Sequence, residues 1–260
     1  LPYNIVVCVK QVPDTTDVKI DPETKTLVRE GVPSIVNPFD TYALEEAIRI
    51  RERAGGKVTV LSMGPPQAAE ALKECLAVGA DETMLLTDRA FAGADTLATA
   101  YALSLAIGKL GADIVLCGKQ AWDGDTAQVG PGVAEELDIP HATYVRKITL
   151  DGDCAIVERL VEGGYEIVKV PLPALFTVVK EINEPRLPSL RGKMRAKNAK
   201  IPTWGPQDIG ADTSRLGLAG SPTEVVRVFS PEARKRGEVR ELPAPEAAQY
   251  LLSKLEGVIR

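Results

Sequence analysis

The run Gly118-Lys119-Gln120-Ala121-Trp122-Asp123-Gly124-Asp125-Thr126-Ala127-Gln128-Val129-Gly130-Pro131 gathers residue types that hold a nucleotide. It follows the apolar stretch Ile114-Val115-Leu116-Cys117 and leads into a helical pattern from about Thr126 to Leu137. A strand end, small residues, hydroxyl and amide groups and a helix start therefore meet in one place. Unpaired N–H groups and the helix dipole favour a phosphate at such a junction. Asp123 and Asp125 would repel a phosphate beside them. They are expected to cap the helix or to accept hydrogen bonds from ribose hydroxyls. The same residues also make an ordinary loop-to-helix junction, and on this run alone both readings stand.

Other chemistry is thinly represented. No G-x-G-x-x-G follows the first apolar run, and no G-x-x-x-x-G-K-[ST] is present, so the two best-marked nucleotide fingerprints are missing. His141 is the only histidine, which leaves no histidine-based triad or metal site to build. Cys8, Cys75, Cys117 and Cys154 are scattered singly, with no C-x-x-C pair. They read as reduced core residues, since a free cysteine packs as a small hydrophobe.

The elements that must position the run alternate in type. Ile5-Val6-Val7-Cys8-Val9 is a short apolar run of the kind buried on both faces of a sheet. Val18 to Ile20 and Thr26 to Val28 flank Asp21-Pro22-Glu23 as a small hairpin. Asn37 caps and Pro38 opens a helix that carries Leu44, Ala47 and Ile48 and stops at Gly55-Gly56. Strands over Val58–Met63, Thr83–Leu86 and Ile114–Cys117 alternate with helices over Ala68–Leu76 and Asp95–Leu110. Leu97, Tyr101, Leu105 and Leu110 are expected on the apolar side of the longer helix. That order predicts a parallel sheet covered by helices on both faces. Ligands then sit beyond the carboxyl ends of the strands, near a switch in strand order. Three loops qualify: Lys10-Gln11, Met63-Gly64 and Gly118 to Gly130.

From Ala142 the period changes to two over Tyr144–Ile148, Ala155–Arg159 and Tyr165–Lys169, with tight turns at Asp151-Gly152-Asp153 and Glu162-Gly163-Gly164. This is an antiparallel meander, after which Leu175–Val179 returns to the main sheet. From Pro185 onward the chain holds 8 of its 19 prolines and no long periodic apolar segment until about Pro245. Its scattered anchors, Leu187, Leu190, Met194, Ile201, Trp204 and Ile209, suggest an extended arm lying on a partner subunit. A helix from about Pro245 to Val258 carries Ala248, Leu251, Leu252 and Leu255 on one face.

Composition narrows the function classes. The 260 residues are 45% hydrophobic and 26% charged, average for a globular protein. The net charge of −5 disfavours nucleic acid as a partner. No apolar run approaches the roughly 18 residues of a membrane span. The first residues lack a basic stretch before their short apolar run, so a signal peptide is not expected and a cytoplasmic location is.

Several motifs together carry a resemblance. Val9-Lys10-Gln11-Val12-Pro13, Asn37-Pro38-Phe39-Asp40 followed by Ala43-Leu44-Glu45-Glu46-Ala47, Ala80-Asp81, the Gly118–Gly130 run and Asn183-Glu184-Pro185-Arg186 resemble the beta subunit of electron-transfer flavoproteins. They occur in order and at family spacing from the first strand to at least residue 210, and Ser221-Pro222-Thr223 to Phe229-Ser230-Pro231 looks like the family's tail. The resemblance implies an α/β fold: a Rossmann-like parallel sheet of the adenine-nucleotide-binding type, with an antiparallel meander and an extended C-terminal arm. Residues 1–184 would form the nucleotide-binding domain. Residues 185–260 would form an arm and helix embracing an alpha subunit whose FAD exchanges electrons with a partner flavin dehydrogenase.

The nucleotide held by the beta subunit is AMP in most members and a second FAD in those that bifurcate electrons from NADH, with ferredoxin or flavodoxin as a further acceptor. The family's contacts map onto Cys8, Asn37, Pro38, Phe39, Asp40, Met63, Asp123, Gly124, Asp125, Thr126, Ala127, Gln128, Val129, Gly130, Pro131 and Ala134. The wording Gly124-Asp125-Thr126-Ala127-Gln128-Val129-Gly130-Pro131 is similar to the bifurcating type. The mitochondrial AMP-binding type has an acidic residue in place of Gly124 and lacks Pro131. FAD is therefore expected, with AMP as the alternative and NADH as electron donor.

Arg186 to Lys200 holds six basic residues and no acidic one. It reads either as a solvated face or, by the resemblance, as a loop that docks the dehydrogenase through Leu190, flanked by Arg191, Lys193 and Arg195. A stand-alone adenine-nucleotide enzyme or ATP sensor of the same fold is the competing class, and it would need a metal-linked phosphate loop that the sequence lacks.

Overall fold

Ile5, Val6, Val7 and Cys8 have no polar face, so the strand they form must be covered on both sides. It becomes an interior strand of the main sheet, flanked by the strands Gly56–Met63 and Ile114–Gly118. The computed structural model describes residues 2–14, 34–226 and 237–256. The expected hairpin around Pro22 and the residues Phe229 to Pro231 and Val258 lie outside them.

Chain order runs β1 (Tyr3–Cys8), β2 (Gln11–Pro13), β3 (Ser34–Val36), α1 (Pro38–Ala54), β4 (Gly56–Met63), α2 (Ala69–Val78), β5 (Glu82–Leu86), α3 (Thr96–Leu110) and β6 (Ile114–Gly118). It continues through α4 (Val129–Glu136), β7 (His141–Asp151), β8 (Cys154–Val161), β9 (Gly164–Pro171), β10 (Ala174–Val178), α5 (Leu190–Lys197), β11 (Thr203–Trp204) and α6 (Ala244–Leu255). Nine strands form one sheet in the order β11-β5-β4-β1-β6-β10-β7-β8-β9, and β2 pairs with β3 apart from it. Strands β11 through β7 are parallel, whereas β8 and β9 fold back antiparallel. The expected Rossmann-like sheet with an antiparallel meander is what the chain builds.

The sequence explains each boundary. Pro38 opens α1, and Gly55 at φ 78 ends it. Asp95 caps α3 by accepting the N–H groups of Leu97 and Ala98. One face of the sheet packs Ile5, Val7, Val60, Leu116 and Phe176 against α1 and α2. The other packs Val6, Leu61, Val115, Cys117 and Leu175 against α3 and α4. Of the expected apolar side, Tyr101 is buried and Leu105 and Leu110 pack against the core, whereas Leu97 is exposed; α3 also buries Ala98, Leu103, Ala106 and Ile107. The helix meets the sheet through alanines together with Tyr101, Leu103 and Ile107, while Leu97 in its first turn faces outward.

Residues 185–226 belong to the first of two compact units, Leu1–Arg227. The arm's anchors part company there. Ile209 is buried, and Ile201 and Trp204 pack against this chain's own core, with β11 adding a ninth strand beside β5. Leu187, Leu190 and Met194 stay exposed, at 89%, 78% and 65%. Within the second unit, Val228–Arg260, α6 exposes Leu251 and Leu252, and the Tyr250 hydroxyl donates to Glu238. No helix among the described residues is long and apolar enough to cross a membrane.

Phe176 is fully buried at the centre of the sheet. Phe176→Ala should cost about 3–5 kcal/mol, read as a lower midpoint in urea unfolding.

Candidate nucleotide-binding site

The chain leaves β1 through α1 to β4 and then β5 on one side, and crosses through α3 to β6 on the other. Strand order therefore switches at the β1–β6 seam, where a ligand crevice belongs in an open parallel sheet. Cys8 and Cys117 face each other in register there and close the floor. Hydrogen bonding to Cys8 and burial hold the Cys117 thiol well above the ordinary thiol range, so it stays neutral and acts as packing. Among the described residues no group of histidine, cysteine and carboxylate side chains could hold a metal.

Three strand ends and one helix start surround the seam. Leu61 accepts the Val9 N–H at 2.9 Å, the last link between β4 and the β1 side. Strand alternation then turns the peptide edge of Met63 toward the same side, past the end of β1. That edge suits the hydrogen-bonding rim of a base.

Asp40, in the first turn of α1, is buried, and its carboxylate accepts the Lys10 N–H at 2.7 Å as well as the Gly118 N–H. Burial pushes this carboxyl up to about 7, against the pull of Lys10, Asn37 and Gly118. Gly118 is glycine for a steric reason: a Cβ there would lie 2.4 Å from the Asp40 carboxylate and 2.6 Å from the Phe39 carbonyl carbon.

Asn37 stands at the N-cap of α1 but makes no side-chain cap. Its amide instead grips the loop after β6, donating to Gln120 O at 2.9 Å and accepting the Trp122 N–H at 2.9 Å. Lys10 Nζ meets Asp123 Oδ1 at 2.5 Å, tying the loops after β1 and β6 together. Lys119 lies over the Phe39 ring at 4.9 Å and near the Tyr144 ring at 5.9 Å.

The carboxylates of the loop do not cap α4. That helix begins at Val129 rather than near Thr126, and Gln128 stands at its N-cap without a side-chain cap. Asp123 is taken by Lys10 and Asp125 by the Gln120 amide. Asp125 and Ala127 adopt φ 51 and 54, left-handed backbone that stops a helix from starting earlier. Strain of this kind collects where a loop is shaped for a ligand.

The remaining site residues fall as follows. Thr126 and Gln128 are exposed at the head of α4, and Gln128 Oε1 accepts from Thr96, which leaves its amide N–H groups out of that bond. Val129, Gly130 and Pro131 form the first turn, with Gly130 pressed against Thr177. Ala134 is wholly buried in the core, so its side chain has no surface to offer a ligand. Pro38 opens α1 beside Asn37, and Cys8 and Met63 end their strands. Leu190, Arg191, Lys193 and Arg195 lie away from this crevice on α5, which packs on α2, and Arg195 spends its guanidinium on Ala80 O.

Two features escaped the sequence. Tyr144 takes φ 58 at the bulge where β7 pairs with β10 and donates its N–H to Thr177 Oγ1 at 3.2 Å. The Lys10–Asp123 pair joins residues 113 apart. Neither has a local signature, since each depends on neighbours that only the closed sheet supplies.

The electron transfer flavoprotein domain matches residues 24–209. The chain belongs to the electron transfer flavoprotein family. It is 60% identical over 253 residues, 97% of each chain, to an electron transfer flavoprotein subunit beta of Thermoanaerobacterium thermosaccharolyticum. It is 52% identical over 255 residues, again 97% of each, to the caffeyl-CoA reductase-Etf complex subunit CarD of Acetobacterium woodii. Protein FixA of Sinorhizobium fredii is 48% identical over 261 residues, 97% of this chain and 92% of that one. The chain thus stands with the beta subunits of electron transfer flavoproteins, which pair with alpha subunits and serve electron transfer.

The Asp40 carboxyl gives this electron transfer flavoprotein chain a pH signature. It keeps its proton to about pH 7 when folded, against 3.8 for an unburied aspartate. Between those values the folded state binds more protons, so this group's contribution to stability falls as pH rises through the window and is level above it. Melting temperatures from pH 4 to 8 should carry that loss, on the order of a few kcal/mol. Asp40→Asn, which keeps a carbonyl for the Lys10 N–H, should flatten it.

Proposed function

We propose that the chain is the beta subunit of a heterodimer that takes electrons from NADH and bifurcates them, with FAD in the crevice at the β1–β6 seam. Its alpha subunit carries the flavin that serves a partner flavin dehydrogenase, and ferredoxin or flavodoxin is the low-potential acceptor. Residues 185–260, with α6, embrace the alpha subunit.

The observation that carries the reading is Gly124. It stands mid-loop, outside the left-handed region, and a Cβ there would meet nothing in the protein within 4 Å. Neither the fold nor the local backbone asks for glycine. A ligand passing close to the loop does, and a dinucleotide continuing beyond its first phosphate is such a ligand.

The residues fit that group. The Met63 peptide edge receives the adenine. Thr126, Gln128 and the free N–H groups of Val129 and Gly130 hold the phosphates at the head of α4. Asp123 and Asp125, placed off the helix, face the sugar hydroxyls instead of the phosphates. Lys10 and Lys119 set positive charge at the mouth, and Trp122 and Tyr144 cover it. When bound, the FAD supplies a ring that accepts a hydride from NADH and releases electrons one at a time.

The nucleotide released by heat from purified heterodimer decides between readings. Two FAD and no AMP are expected, and one FAD with one AMP would end the bifurcation reading. Gly124→Asp should fold normally, because the site has room in the protein, yet lose the beta flavin selectively. Leu190→Ala should weaken docking of the dehydrogenase by about 2 kcal/mol, seen as a raised KM for that partner with flavin content unchanged.

A further inference from the structure

The motif Asn183-Glu184-Pro185-Arg186 takes no part in the crevice. It lies along α1 and is fastened there by several hydrogen bonds, although the Asn183 side-chain oxygen is buried without a partner. Asn183 donates to Tyr42 O at 3.0 Å. Glu184 O accepts from Arg49 at 3.2 Å. Arg186 forks twice: Nε and Nη2 reach the two oxygens of Glu45 at 2.8 and 3.2 Å, and Nη1 and Nη2 reach those of Glu52 at 2.6 and 2.9 Å. Its backbone N–H adds a bond to Glu45 Oε2 at 3.2 Å. Tyr42, Glu45, Arg49 and Glu52 are spaced by three, four and three residues, so the turn is fastened to a single stripe of the helix.

The fastening is firm. The Glu45 side chain is 3% exposed and that of Arg186 34%. Burial pushes Glu45 up, but the hydrogen bonds from Arg186 and Arg49 outweigh it and hold its carboxyl below the usual range. Two bidentate contacts need a guanidinium, and a lysine ammonium makes only one of them well.

One residue after this rivet the chain exposes Leu187, then Leu190 and Met194 along α5. The far end of that ridge is fastened to the α2–β5 turn by Arg195 on Ala80 O. The ridge is thus pinned at both ends and rests on α2 at Gly192, which lies against Ala77, while the side chains of Leu187, Leu190 and Met194 face solvent.

We infer that Arg186 is a positioning residue for partner docking: with Glu45 and Glu52 it holds the Leu187–Leu190–Met194 ridge in its docking geometry. This rests on the reading of Leu190 as a docking residue. Ordering the ridge in advance removes a cost that the complex would otherwise carry on binding. Arg186 touches neither the crevice nor any reacting group, so its loss acts on association and leaves electron transfer within the complex alone.

The test uses heterodimer carrying Arg186→Gln, Arg186→Lys, Glu52→Gln, Leu190→Ala or Arg186→Gln with Leu190→Ala. Electron transfer is measured against concentration of the purified flavin dehydrogenase of the same organism. Hydrogen exchange of amides 187–197 and nucleotide content are measured alongside. Arg186→Gln should raise KM about tenfold, speed exchange across 187–197 and leave kcat and nucleotide content unchanged. Arg186→Lys should fall between it and the parent.

Glu52→Gln removes only the exposed half of the fork and should raise KM about threefold in a normally folded protein, which keeps the test alive if Arg186→Gln folds poorly. The double variant should lose less than the product of its parts, because Leu190 loses its value once the ridge is loose. Unchanged KM in Arg186→Gln and Glu52→Gln, with KM raised in Leu190→Ala, would overturn the positioning role and spare the docking reading. Unchanged KM in all variants would sink both.

Discussion

A carboxylate buried beside strand ends must find donors or remain protonated, and Asp40 does some of each. It collects the N–H groups that begin the loops after β1 and β6, at Lys10 and Gly118, from a position in the first turn of α1. Those loops are the two walls of the crevice, and α1 is the helix between them in the chain. Without that acceptor, two peptide donors at the switch in strand order would lose their partner, each unmade bond costing about 1–3 kcal/mol where water does not reach it. The Asn37 amide repeats the arrangement one layer out, on Gln120 and Trp122. The crevice thus keeps its shape through hydrogen bonds to Asn37 and Asp40 at the start of α1, and the glycine at 118 lets that start come close enough.

The same helix borders both the crevice and the exposed ridge. Its first turn shapes the crevice, and its middle and last turns, through Glu45 and Glu52, fasten the turn that leads to the exposed ridge. Its inner face, with Ala43, Leu44, Ala47 and Ile48, is buried against the sheet. A helix held this way along its length moves as a rigid body or not at all. The start of the crevice wall and the base of the ridge are therefore set apart by the length of one helix.

Much of this was legible in the sequence where the signal is local. Apolar runs gave the strands, Pro38, Gly55 and Asp95 marked helix ends, and the period-two stretches after Ala142 gave the meander. The loop from Gly118 to Pro131 stood out through its residue types. What stayed hidden depends on distant neighbours. Asn37 has the composition of a cap, yet its amide serves a loop more than eighty residues away in the chain. Asp123 and Asp125 also have the composition of caps. Ion pairing with Lys10, bonding to Gln120 and the left-handed backbone at 125 and 127 draw them off the helix. The anchors after Pro185 read alike as apolar residues in a proline-rich stretch, and only the place of β11 beside β5 separates those that cover the core from those that face outward.

The sheet's two borders are unequal. On one side β11 contributes two residues, Thr203 and Trp204, while on the other β9 presents eight, Gly164–Pro171. A two-residue border is too short to template a further strand, and a longer one is not. Among the described residues, addition of strands is thus one-sided: whatever joins at β9 meets no matching border across the sheet on which another copy could continue. Stacking of sheets edge to edge halts after a single addition, so a wide and largely apolar sheet is kept from becoming the seed of a fibre.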